Sequence, residues 1–173
     1  MTTTERTAST ITTGARRPNA DGLRFTASAE LAADLQKVLV ELTELHLQGK
    51  QAHWNVVGPN FRDLHLQLDE VVDTARAHSD TIAERMRALQ AAADGRTDTV
   101  AATTSLPAFP AGLQQTAIVV DLITGALAAA VASVREVHDR VDAEDPSTAD
   151  LLHQIIDDLE KLAWMISSEN VRP

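Results

Sequence analysis

Four residues of one helical stretch are of the right type and spacing to do metal chemistry: His65, Asp69, Asp80 and Glu84. His65 and Asp69 stand four apart, as do Asp80 and Glu84, so each pair shares one helix face. The eleven residues from Asp69 to Asp80 make just over three turns, which points all four roughly the same way. That interval is also about 16 Å of axial rise. Metal ligands lie about 2 Å from their ion, so one copy of the helix cannot close both pairs on one site. The midpoint between Thr74 and Ala75 is at once the midpoint of His65 and Glu84 and of Asp69 and Asp80. Two copies packed antiparallel about a two-fold axis there would set His65 opposite Glu84 of the partner, and Asp69 opposite Asp80 of the partner. Such an isologous interface holds two identical sites. The same operation pairs Asp73 with Arg76, in competition with pairing inside one helix or plain solvation.

A fifth ligand type comes from KQAHWNVVGPNF, residues 50–61. His53 stands on what reads as the last turn of the preceding helix, close enough in sequence to join His65 and Asp69. The set is two imidazoles and three carboxylates. With no cysteine in the chain, no thiolate site can form, and the donors suit Fe(II), Mn(II) or Zn(II). The Glu-x-x-His pair of within-chain di-iron bundles does not occur; Asp150-x-x-His153 is the nearest approach. A single acid pair would read as solvated charge on an exposed helix. Five ligand-type residues obeying one two-fold operation favour the metal.

The elements that must position these residues are long helices. From Ser28, a candidate N-cap, Leu31, Leu35, Val38, Leu42, Leu45 and Leu47 recur at helical spacing. Gly58-Pro59 ends that helix, and Pro59 starts the next. The second helix is expected over about 60–92, with Leu64, Leu68, Val71, Val72, Ile82, Met86 and Leu89 as its stripe. A polar, proline-punctuated crossover with room for a short helix follows. The third helix is expected over about 111–141, and the fourth from Asp145-Pro146-Ser147 to about residue 169. The fold class is therefore all-α: a four-helix bundle whose long crossover makes the second and third helices parallel. Trp164 reads as core, and His46 as surface or interface.

Composition agrees. The chain has 173 residues, enough for one domain with a real core. It is 44 % hydrophobic but only 3 % aromatic, so Leu, Val, Ile and Ala must fill the interior, a bias that suits helices. A formal charge of −10 argues against nucleic acid as partner of the folded body. Residues 1–27 form a separate unit, a flexible tail with Arg6, Arg16, Arg17 and Arg24 against Glu5 and Asp21, and the bundle is residues 28–173. The N-terminus lacks the apolar segment of a secretory signal. The longest apolar stretch, residues 117–134, contains Asp121 and reads as a buried bundle helix rather than a membrane span.

KQAHWNVVGPNF, followed by His65, Asp69, Asp80 and Glu84, resembles the Dps family, the bacterial mini-ferritins. SLPAFP in the crossover and STADLL and DLEKLAW near the C-terminus extend the resemblance over everything from about Ser28 onward. It implies a ferritin-like bundle assembling into a hollow homo-dodecamer. It also implies two-iron ferroxidase sites at the two-fold interfaces, with His53, His65 and Asp69 from one subunit and Asp80 and Glu84 from the other. Fe(II) would be oxidised to Fe(III) by hydrogen peroxide, or more slowly by dioxygen, and stored as ferric mineral. Trp54 resembles the family's tryptophan beside the iron, with a packing anchor as the alternative. Asp142, Asp145 and Asp150 stand where the family places acidic pores, although acids at a helix start also follow from the helix dipole. Some members bind DNA through a basic tail; the small net charge of this one gives weak or no DNA binding as the expectation. A metal-binding assembly without oxidase activity is a third reading. The implied location is the cytoplasm, on the nucleoid if DNA is bound, with no membrane partner.

Overall fold

The computed structural model describes residues 25–171. The tail arginines Arg6, Arg16, Arg17 and Arg24 lie outside the described residues. The elements are α1 (Ala29–Asn55), β1 (Val56–Val57), α2 (Phe61–Ala88), α3 (Thr97–Thr103), β2 (Gln114–Gln115), α4 (Thr116–Glu144) and α5 (Pro146–Ser167), with a last 3-10 turn at Ser168–Asn170.

Ser28 caps α1: its hydroxyl oxygen accepts from the Leu31 amide at 3.0 Å, satisfying one of the free donors of the first turn. Its own amide and hydroxyl donate to the Glu144 carboxylate at 2.8 and 2.6 Å, fastening the start of α1 to the end of α4. Asp34 with Arg140 and Lys37 with Glu136 continue that seam in opposite chain directions, so α1 and α4 are antiparallel. Because α1 and α2 form a hairpin, α2 and α4 are parallel, as the long crossover requires. Around the bundle, α1 packs on α2 and α4, and α5 packs on both of those.

The core is aliphatic. Leu35, Leu42, Leu68, Ile82, Ile123, Leu127, Leu152 and Ile155 are fully buried. Every residue of the stripe expected on α2 is inside, and so is that of α1 except Leu47, which is 45 % exposed. Trp164 is also not core; it stands on the outer face of α5, 68 % exposed. Helix α4 is long and apolar enough to cross a membrane, but half of its most apolar window is buried in the bundle.

Two boundaries fall inside the expected ones. Helix α2 stops at Ala88 because Gln90 takes a left-handed conformation (φ 65°). The Ala91 amide then donates to the Met86 carbonyl and the Gln90 amide to that of Arg87, the two bonds of a Schellman stop. Helix α4 starts at Thr116, since Pro110 and the left-handed Gly112 (φ 83°) hold the preceding residues open.

The crossover is pinned to α1 by polar ties. Gln36 exchanges hydrogen bonds with the Asp94 backbone at 2.8 and 2.9 Å. The buried Glu41 carboxylate accepts from the Thr104 hydroxyl and from the amide and hydroxyl of Ser105. Its end pairs in parallel with the link after α1, Val56 with Gln114 and Val57 with Gln115. That pairing fixes the angle at which α1 hands over to α2.

Candidate metal centre

The hand-over is built on Gly58. Its φ is 121°, a region disfavoured for residues with a side chain, and an added Cβ would sit 2.8 Å from the Gln115 side-chain oxygen. Asn60, also left-handed at φ 57°, completes the turn. The last turn of α1 thereby folds back on the first turns of α2, bringing His53 and His65 face to face. Their rings stack with centroids 3.6 Å apart.

The two imidazoles lock each other. His53 Nδ1 lies 3.0 Å from the His65 carbonyl oxygen, and His65 Nδ1 lies 3.0 Å from the His53 carbonyl oxygen. A carbonyl can only accept, so each Nδ1 carries the hydrogen and each Nε2 keeps a lone pair. This is the outer-sphere arrangement that fixes a metal-binding histidine in the right tautomer. His53 is 9 % exposed, and the Phe61 ring lies 5.1 Å from His65.

Asp69 joins the same corner, with its Oδ1 at 3.1 Å from His53 Nδ1. Lys50, one turn before His53, donates to that oxygen at 2.7 Å. The Lys50 hydrogen bond, outweighing the opposing effect of burial, holds the Asp69 carboxyl below the usual carboxylate range. Lys50 is thus the resident cation of this corner. Sequence reasoning passed over it, although its i, i+3 spacing to His53 was visible. His46 lies further back on α1; partial burial, then the charges of Arg76 and Lys50, hold its imidazole below its ordinary value.

Asp80 and Glu84 are exposed on the same continuous helix, about 16 Å or more along the axis from Asp69 by helical rise. Within one protomer the five candidate ligands divide three and two. No group of three or more potential ligands close enough to hold a metal ion occurs among the described residues. Trp54, next to His53 in sequence, is 69 % exposed; with Phe61 and Leu66 it leaves exposed apolar surface on this part of the protomer.

The three acids near the start of α5 differ. Asp142 and Asp150 are exposed. Asp145 is committed within the protomer: Arg85 donates to it at 2.6 Å, and Thr148 also donates to it. Burial alone would raise its carboxyl, but the Thr148 and Arg85 bonds outweigh that and bring it below the ordinary range. Asp158 is tied to His78 at 3.0 Å, joining α5 to α2.

Comparison with known proteins follows the fold. The ferritin-like domain family matches residues 32–171. The DNA protection during starvation protein of Agrobacterium fabrum is 32 % identical over 143 residues, 82 % of this chain and 88 % of that protein. DNA protection during starvation protein 2 of Deinococcus radiodurans is 35 % identical over 132 residues. That match takes in 76 % of this chain but only 55 % of the relative's own length. Among solved structures, Dps from Microbacterium arborescens in its high iron form superposes with a TM-score of 0.79 at 35 % identity, covering 86 % of this chain and 99 % of that one.

Proposed function

This chain belongs to the Dps family of ferritin-like proteins, and from that premise we propose that it is an iron-storing ferroxidase whose oxidation sites are divided between two protomers. His53, His65 and Asp69 of one protomer, with Asp80 and Glu84 of the other, hold two Fe(II) ions as substrate. Peroxide takes one electron from each: two Fe(II), one hydrogen peroxide and two protons give two Fe(III) and two water molecules. Delivering both electrons within one site avoids the one-electron route to hydroxyl radical. Ferric ions then leave for the interior of a hollow dodecamer, where they hydrolyse to mineral. The reaction proceeds in the cytoplasm, with no membrane partner.

The observation that carries this reading is the reciprocal lock of His53 and His65, which leaves an Nε2 lone pair on each ring in the corner that also holds the Asp69 carboxylate. Imidazole and carboxylate donors suit iron in both oxidation states. Lys50 must release Asp69 when iron arrives, exchanging one cation for another. Stopped-flow absorbance after mixing Fe(II) and peroxide with Glu84→Ala tests the assignment. Fast oxidation is expected to vanish while size-exclusion still shows the assembly; a native rate would end it.

The relatives' name refers to DNA protection, and removal of iron and peroxide provides it without contact. Direct binding would have to come from the tail arginines against a chain of charge −10. A gel shift at low and moderate salt, with and without residues 1–27, is expected to show weak binding or none; tail-dependent, salt-sensitive retardation would establish direct contact instead.

A further inference from the structure

A second imidazole pair stands on α4 and α5, away from the helix pair that carries His53 and His65. His138 Nε2 and His153 Nε2 face each other at 2.7 Å, with ring centroids 4.4 Å apart. Each ring has a carboxylate on its other side. His138 Nδ1 lies 3.1 Å from Asp139 Oδ1, and His153 Nδ1 lies 3.8 Å from Asp150 Oδ1. The Asp139 contact favours the hydrogen on His138 Nδ1, which leaves a lone pair on His138 Nε2, while Asp150 is too far from His153 for a hydrogen bond. At this distance one Nε2 donates its hydrogen to the other, and a divalent cation that displaced that hydrogen would meet two nitrogen donors converging on one point. With Arg135 and Ile156, these residues line a cavity of about 140 Å3. The Arg135 charge is already taken by Glu160. The His138 side chain is 19 % exposed and that of His153 60 %, so one ligand is held while the other has freedom to adjust.

We propose that His138 and His153 form a two-imidazole clasp for a borderline divalent transition-metal ion such as zinc, independent of the ferroxidase centre. Imidazole prefers such ions to calcium or magnesium. Two nitrogens bound to one tetrahedral zinc at about 2.0–2.1 Å lie about 3.3 Å apart. The clasp therefore has to open by about 0.6 Å from its 2.7 Å separation, within the reach of a small rotation of the exposed His153 ring. Water completes the shell, since the carboxylates of Asp139 and Asp150 lie on the Nδ1 sides of the two rings.

Equilibrium dialysis of the assembled full chain against zinc measures this. The native protein is expected to hold one more zinc ion per chain than His138→Ala, His153→Ala or His153→Gln. The glutamine keeps a hydrogen-bonding group but is a poor zinc ligand. Any zinc lost in His65→Ala is expected to be a separate, additive loss, and peroxide-driven iron oxidation in His153→Gln to stay at the native rate. Size-exclusion profiles confirm that the variants assemble. Equal zinc stoichiometry in the native protein and the three clasp variants would overturn the proposal, leaving the pair as two rings sharing a proton.

Discussion

The proposed division of the oxidation site between protomers makes a numerical prediction that a single-chain site does not. His65→Ala removes a ligand from the three-residue half and Glu84→Ala from the two-residue half, and each variant alone is expected to be inactive. Mixed one to one, disassembled and reassembled at random, the two chains give two-fold pairs of which half contain one of each. In a mixed pair, one of the two sites combines both lesions and is dead. The other combines the intact triad of the Glu84→Ala chain with the intact carboxylates of the His65→Ala chain. Isologous symmetry makes the two sites of a pair otherwise identical, so about one quarter of all sites regain a full ligand set. The separation along α2 forbids any other route to recovery, since no chain can fold its Glu84 back to its own His65 across about 16 Å or more of helix. Stopped-flow oxidation of Fe(II) by peroxide is expected to return to about 25 % of the native amplitude in the mixture. Mass spectrometry of intact dimers gives the mixed fraction for normalisation. A reassembled mixture no more active than its two parents, with mixed pairs present, would refute the division of the site.

Lys50→Met removes the cation that competes for Asp69. A half-buried ion pair still in contact with water contributes about 0.2–1 kcal/mol, so Fe(II) or Zn(II) is expected to bind about 1.5- to 5-fold more tightly by titration calorimetry. Gly58→Ala forces a side chain into the left-handed region against Gln115, and a loss of about 1–3 kcal/mol by denaturant unfolding is expected. Asp145 is depressed below 3.8 in the folded chain, so its contribution is fully present above about that pH and is lost as pH falls through the lower folded value. Asp145→Asn is therefore expected to cost about 1–3 kcal/mol at neutral pH and to flatten the acid limb of the stability curve, read by circular dichroism from pH 6 to 2.

The bundle was legible because its signals are local. Leucine and valine at spacings of three and four, Ser28 before an acidic first turn and Asp145-Pro146 at a helix start each report on one helix alone. What periodicity cannot report is which partner covers an apolar face. Leu47 and Trp164 belong to helices with strong stripes, yet both point out of the protomer. The early stop of α2 was hidden for another reason: Gln90 fills a left-handed position where glycine or asparagine is the usual signal. At the candidate metal centre, residue types and spacing were readable. The reciprocal carbonyl lock and the Lys50 contact were not, because both depend on how closely α1 returns against α2.

The proposed division of the ligands also bears on how the chain folds without metal. Three carboxylates brought within a few ångströms of one another repel, and at least one would have to take up a proton before the protein could close around them. A lone protomer avoids that conflict. Its one inward carboxylate, Asp69, already has Lys50 and two imidazoles beside it. Asp80 and Glu84 remain in water at the other end of the helix. Under the proposed arrangement the repulsion arises only when two protomers meet, where Fe(II) can relieve it. Metal binding would then be coupled to association rather than to folding, unlike small domains that stay unfolded until their ion arrives. On that basis, iron should strengthen the two-fold contact while leaving the stability of the isolated bundle nearly unchanged.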